Sequence, residues 1–142
     1  MKKVITVLVL VLIGSLTITG CPGVGESPSD VAKAFYKAGN EGDYEKAFSY
    51  LSIHIQMAYK MPGAGLVFGK FDNAMDGVTK NGTITRIEVE GGEEFPGGHQ
   101  AVIYVTLHYA DGDKKQDVLT LQKEDGRWKI IMSILLATGA YK

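Results

Sequence analysis

The sequence is short of most features that would betray an activity. It has one cysteine, Cys21, so no disulfide can form within the chain and stability must come from packing. It has no basic run and a formal charge of −1, which argues against nucleic acid as a partner and against a polybasic membrane contact. Its three histidines, His54, His99 and His108, lack H-x-H or H-E-x-x-H spacing, so no metal site and no cofactor are expected. Asp111-Gly112-Asp113 lacks the further oxygen ligands of a calcium loop and reads as a turn. There is no G-x-S-x-G, G-x-G-x-x-G or P-loop pattern, which leaves nucleophile and nucleotide chemistry without support. What the chain does have is 45% hydrophobic residues over 142 positions, enough for one packed core and too few residues for two.

The greasiest stretch lies at the start. Met1 to Cys21 reads MKKVITVLVLVLIGSLTITGC: two lysines, an apolar run, then small residues. That is the layout of an export signal, and the apolar run falls short of the ~20 residues a membrane-spanning helix needs. Ile18-Thr19-Gly20-Cys21 resembles the lipobox of bacterial lipoproteins, an aliphatic and two small residues before a cysteine. The resemblance implies cleavage between Gly20 and Cys21, a diacylglyceryl group on the Cys21 sulfur, and acylation of the new amino group with palmitate. Two or three acyl chains hold a protein to a membrane stably where one does so marginally. A lone thiol in an exported protein thereby finds its use. The expected organisation is a removed signal peptide over 1–20, lipidated Cys21 with a short tether over 21–26, and a domain over 27–142. The expected location is the cell envelope, on the outer side of the cytoplasmic membrane or in the outer membrane.

The domain opens with helices. Ser27 is suited to cap a helix, Pro28 to its first turn, and Asp30 closes a capping box; Val31, Ala34, Phe35 and Ala38 then repeat at helical spacing up to Gly39-Asn40. Asp43 starts a second helix with Tyr44, Ala47, Phe48 and Leu51 on one face. From Ser52 to Gly65 the alternation of Ile53, Ile55, Met57, Tyr59 and Met61 suits a strand, while the position before Pro62-Gly63 suits an irregular connection. Both readings stay open. A third helix is predicted over about 66–80, with Phe68, Phe71, Met75 and Val78 on one face.

Beyond Gly82 the period becomes two. Ile87 and Val89 mark a half-buried strand, an acidic Gly-rich loop spans Gly91 to Gly98, and Ala101 to Tyr109 forms a long strand. Asp111-Gly112 signals a two-residue hairpin turn into a strand with Leu119 and Leu121. Asp125-Gly126 turns into a last strand with Trp128, Ile130 and Met132 inward. The expected fold class is α+β, with three N-terminal helices on one face of a curved four-stranded antiparallel sheet.

This order of elements is similar to the nuclear transport factor 2-like fold. So are the Ser27-Pro28 opening with its Val31 to Phe35 stripe, the helix at Gly42-Asp43-Tyr44-Glu45-Lys46-Ala47 and the run Gly126-Arg127-Trp128-Lys129-Ile130. More narrowly, the chain resembles small bacterial lipoproteins of unknown function built on that cone. The resemblance implies the fold and leaves the function open, since the same fold carries isomerases, dehydratases, binding modules and oligomerisation domains.

Catalysis in such a cone would need an acid and a base in the pocket. The candidates are Asp72, Asp76 and Glu88 with Tyr59, Tyr104, His54 or His108, and no spacing predicts that any two meet. Glu88, Glu90, Glu93 and Glu94 read as a solvated edge. A non-catalytic binding domain is therefore expected, with an isomerase- or hydrolase-like envelope enzyme as the rival. Met57, Tyr59 and Met61 are candidates for an adaptable pocket lip around a small apolar ligand. Val102, Tyr104, Thr106, Val118, Thr120 and Ile131 would form an outer sheet face apolar enough to meet a second copy or an envelope protein.

Overall fold

The computed structural model describes residues 26–63, 70–79 and 82–138. The expected signal peptide, Cys21 and the tether up to Gly25 lie outside the described residues, as do Gly65 and Phe68. In chain order the elements are α1 (Pro28–Asn40), α2 (Tyr44–Ser49), α3 (Ile53–Lys60), α4 (Phe71–Thr79), β1 (Ile84–Glu94), β2 (Gln100–Tyr109), β3 (Lys114–Glu124), β4 (Arg127–Ser133) and α5 (Ile134–Thr138). The strands form one antiparallel sheet in the order β1-β2-β3-β4, so each strand pairs with its sequence neighbour. The α+β plan is as expected, with four helices before the sheet among the described residues and a short one after it. No helix of the described residues is long and apolar enough to cross a membrane.

Local chemistry explains the first helices. Ser27 Oγ accepts the Asp30 N–H at 3.2 Å while the Asp30 carboxylate accepts the Ser27 N–H at 3.2 Å, the reciprocal pair of a capping box. Asp43 Oδ1 accepts the Lys46 N–H at 3.1 Å to start α2. The open segment after Leu51 is a helix. Ser52 caps it, its Oγ accepting the Ile55 N–H at 3.3 Å, and the odd-numbered apolar residues that imitate a strand are distributed around α3 instead.

The strands depart from simple alternation at three places. β1 runs on to Glu94, leaving only 95–99 as the connection, because Gly91 and Gly92 take φ of 85° and 95° and let the strand continue through an irregular register. A Cβ at Gly92 would come within 3.1 Å of Ser29 Oγ, so the start of α1 packs directly on that backbone. The loop around Asp111-Gly112 has four residues, 110–113, rather than two. In β4, Leu121 pairs with Ile130 but Thr120 pairs with Met132, so Ile131 is an extra, unpaired residue. This bulge reverses the alternation: Trp128 and Ile130 are buried as expected, whereas Met132 turns outward at 51% exposure and Ser133 turns in. At Asp125-Gly126 both residues have positive φ, 50° and 75°, as the tight hairpin turn there requires.

The inner face of the sheet, Ile103, Val105, Leu107, Leu119, Leu121 and Ile130, packs against Val31, Phe35 and Met75 of α1 and α4. Rings fill much of the cone. Phe71 stands 6.4 Å from Phe35 in a tilted pair and meets Phe48 and Tyr59 edge-on at 5.2 Å and 5.7 Å, and edge contacts add roughly 0.5–1.5 kcal/mol each beyond the area they bury.

Candidate functional site: an apolar groove over a buried aspartate

Where α2 gives way to α3, the chain joins the free edge of β4. Ser52 N–H donates to Ile130 O at 2.8 Å and Ile130 N–H donates to Tyr50 O at 2.9 Å, a short parallel bridge that brings Leu51 beside Ile130. Past this bridge α3 and β4 diverge, and α5 closes the far side. The result is a half-open groove of about 150 Å³, with Leu51 and Ile130 at its base, Ile55, Ala58 and Tyr59 along α3, and Leu136 and Ala137 opposite. Ile131, Met132 and Ser133 complete the β4 wall. Enclosed aliphatic cavities of about this size take up benzene-sized apolar molecules, and this half-open groove presents one side of such a surface.

Below the groove lies a feature that the sequence pattern conceals. Asp117 is 2% exposed, on the inner face of β3. One carboxylate oxygen accepts the Val118 N–H at 2.7 Å and the Leu135 N–H at 2.9 Å. The other accepts the Ser133 hydroxyl at 2.5 Å and the Tyr36 hydroxyl. Ser133 Oγ in turn accepts the Leu136 N–H at 3.1 Å. One side chain thus ties α1, β3, β4 and the first turn of α5 together, and meets the rule that a buried carboxylate needs several donors. Burial first, and then the neighbouring Asp117, pushes the Tyr36 phenol well above the usual tyrosine range. The Ser133 hydroxyl on the groove wall is therefore already engaged as donor and acceptor. A ligand in the groove meets aliphatic surface.

The sequence candidates are placed as follows. Tyr59 lines the groove; Met57 and Met61 do not, and stand 50% and 65% exposed on α3. Ile131, expected on the outer sheet face, is the bulged residue and lines the groove. Of the rest of that face, Val102, Thr106, Val118 and Thr120 are half-buried and Tyr104 is 57% exposed, with Val102 opposite Thr120 and Tyr104 opposite Val118. Two acid pairings that spacing did not predict are present. Glu88 meets His108 Nε2 at 2.9 Å and Arg86 at 2.8 Å on the outer face, and the His108 hydrogen bond, then Arg86, holds the Glu88 carboxyl below its ordinary range. Tyr44 donates to Asp76 at an exposed position between α2 and α4. Asp72, His54 and His99 are exposed. Among the described residues no three His, Cys, Asp or Glu side chains cluster to hold a metal ion.

A family model described as "Domain of unknown function (DUF4878)" matches residues 20–131. The chain belongs to this family. No curated protein sequence matches it. Among solved structures, the DUF4878 domain is similar to a Campylobacter jejuni protein described as an NTF2-like transpeptidase, a nuclear transport factor 2-like protein. The TM-score is 0.57 at 20% identity over 75% of this chain and 99% of that one. It is also similar to a SEC-C motif containing protein from Rhodopseudomonas palustris, with a TM-score of 0.53 at 11% identity over 75% of this chain and 77% of that one. At such identities the likeness is one of fold. The domain is a nuclear transport factor 2-like fold of the DUF4878 family.

Proposed function

We propose that this DUF4878 chain is a lipid-anchored protein of the cell envelope whose domain works by non-covalent binding of an apolar ligand in the groove between α3, β4 and α5. The observation that carries the binding half is the groove itself: mostly aliphatic walls with Tyr59, and a Ser133 hydroxyl already engaged, donating to Asp117 and accepting from Leu136. Such a site favours hydrocarbon and penalises a polar guest whose groups would find no new partners. The acid pairs that catalysis would draw on stand elsewhere. Glu88 with His108 lies on the outer sheet face, and Asp117 with Tyr36 is closed off beneath the groove with four donors already on the carboxylate. Support for the anchor is the lipobox-like Ile18-Thr19-Gly20-Cys21 at the end of the apolar run.

Two measurements test the reading. Benzene or xenon added to the protein should shift the methyl resonances of Leu51, Ile55, Ile130 and Leu136 and leave those of Ile87 and Val89 in place. Uniform or absent shifts would count against the groove. Replacing Cys21 with serine should move the protein out of the detergent-extracted lipoprotein fraction and abolish palmitate incorporation; unchanged incorporation would sink the anchor.

A further inference from the structure

Helix α3 is unusual in having no buried residue, yet it is rich in apolar ones. Its inner stripe of Ile55, Ala58 and Tyr59 faces the groove. A second stripe, Ile53 and Met57, lies one turn apart on the other side of the helix, and Met61 follows as its C-cap. These three stand 52%, 50% and 65% exposed. With Met132 at the tip of β4, also 51% exposed, they make up four of the seven large apolar side chains that are exposed among the described residues. The helix carries no carboxylate, and its charged side chain, Lys60, sits in the last turn. Scattered exposed apolar residues are ordinary, but a row of them on one helix is not.

We propose that this outward face of α3 is a membrane-contact surface that seats the domain on the lipid bilayer carrying its anchor. The proposal rests on Cys21 being lipidated. Its physical basis is reach. Six chain steps separate Cys21 from the α1 cap at Ser27, and at no more than ~3.6 Å each they span only about 20 Å. A domain of this size has a radius of gyration of about 13 Å, so a leash this short keeps every face within reach of the bilayer and leaves the choice of face to surface chemistry. The leash ends where the start of α1 meets both the β1 backbone at Gly92 and the end of α2. Glu26 lies close enough to Tyr50 for its carboxylate to help burial raise that phenol's pKa, and Tyr50 is two residues before the α3 cap Ser52. The competing face, the outside of the sheet, presents Arg86, Glu88 and Lys114 around His108 and Glu90 opposite Tyr104, groups that lose hydration at a lipid boundary. The α3 face carries Ile53 and Met57 with the exposed His54 and Lys60 beside them and Glu124 accepting the Ile53 N–H at its start, a mix of apolar side chains and a snorkelling lysine that suits the headgroup and acyl boundary.

The test uses the full lipidated protein reconstituted into phosphatidylethanolamine and phosphatidylglycerol vesicles containing a phospholipid with a photoreactive acyl chain. After illumination and digestion, label in the segment 53–61 should exceed that in 84–109 by about fivefold. The triple variant Ile53→Ser, Met57→Ser, Met61→Ser should lose most of that label at an unchanged urea midpoint, because the three side chains are exposed. Equal labelling of both segments, no label at 53–61 on a lipidated chain, or full label in the folded triple variant would each overturn the surface. The mass of the Cys21 peptide in the same digest reports the anchor separately, and an unmodified mass there would overturn both readings.

Discussion

Replacing Asp117 with alanine is expected to cost the domain about 4 kcal/mol, as measured by urea unfolding. The variant leaves four donors facing a void: the Tyr36 and Ser133 hydroxyls and the N–H groups of Val118 and Leu135. Each buried donor left without a partner costs about 1–3 kcal/mol, discounted for those that find water. Domains of this size hold only about 5–15 kcal/mol in all, so the loss is a large share of the total. Asp117→Asn should cost about 3 kcal/mol, because its amide keeps an acceptor on one side and points a donor at donors on the other. Tyr36→Phe removes one donor of four and should cost only about 1 kcal/mol. The ranking matters as much as the sizes. If Asp117→Ala unfolds within 1 kcal/mol of the parent, the carboxylate is not what holds α5 to the sheet. In the predicted case the groove loses its Leu136 and Ala137 wall together with stability, and benzene binding falls with it.

The second large effect is alkaline. Tyr36 is raised well above the usual range, by burial and then by Asp117, and Tyr109 is raised to about 12 by burial and then by Asp111. Both folded values lie above the unfolded value near 10. Below about pH 10 each tyrosine keeps its proton in both states, and the stability is fully present. Above it the unfolded chain sheds protons that the fold retains, so stability is lost as pH rises toward the folded values. One retained proton gives a slope of about 1.4 kcal/mol per pH unit, and two give nearly 3. Tyr44 and Tyr50 shift in the same direction, while Lys129, lowered by burial, works in the opposite sense. Urea midpoints taken from about pH 8 to about pH 11 should fall steeply in the last unit, and Tyr109→Phe should make that fall shallower. That variant also costs about 1 kcal/mol at neutral pH, because Val78 O loses the phenol that donates to it at 2.6 Å. A flat profile to pH 11 would contradict the burial of both hydroxyls.

The fold was legible where the chemistry is local. The Ser27 and Asp30 reciprocal cap, the Asp43 start of α2 and the Asp125-Gly126 turn each depend on residues within a few positions, and all appear in the structure. The inner faces of β2 and β3 follow from simple alternation for the same reason. Reading failed where the cause is distant or where two periods coincide. Ile53, Ile55, Met57, Tyr59 and Met61 alternate like a strand, and only Ser52 as a cap hints that they wind into a helix. The inward placement expected of Met132 fails because a bulge changes the phase at Ile131, and bulges leave little trace in composition. The candidate site was harder still. Asp117 looks like any polar residue on a half-exposed strand, and its role depends on Tyr36, 81 positions earlier, and on Ser133, 16 later. Glu88 and His108 meet through strand register, which spacing along the chain does not encode.

The extra residue in β4 also decides where the family can change length. Hairpin tips such as 110–113 can lengthen at small entropic cost, since each doubling of a loop costs only about 0.6 kcal/mol. Between Ile130 and Ser133 there is no such freedom. Dropping a single codon there would rotate the hydroxyl of Ser133 away from Asp117 and uncap the last helix, so homologues should vary in size at the tips and stay invariant in count across this bend.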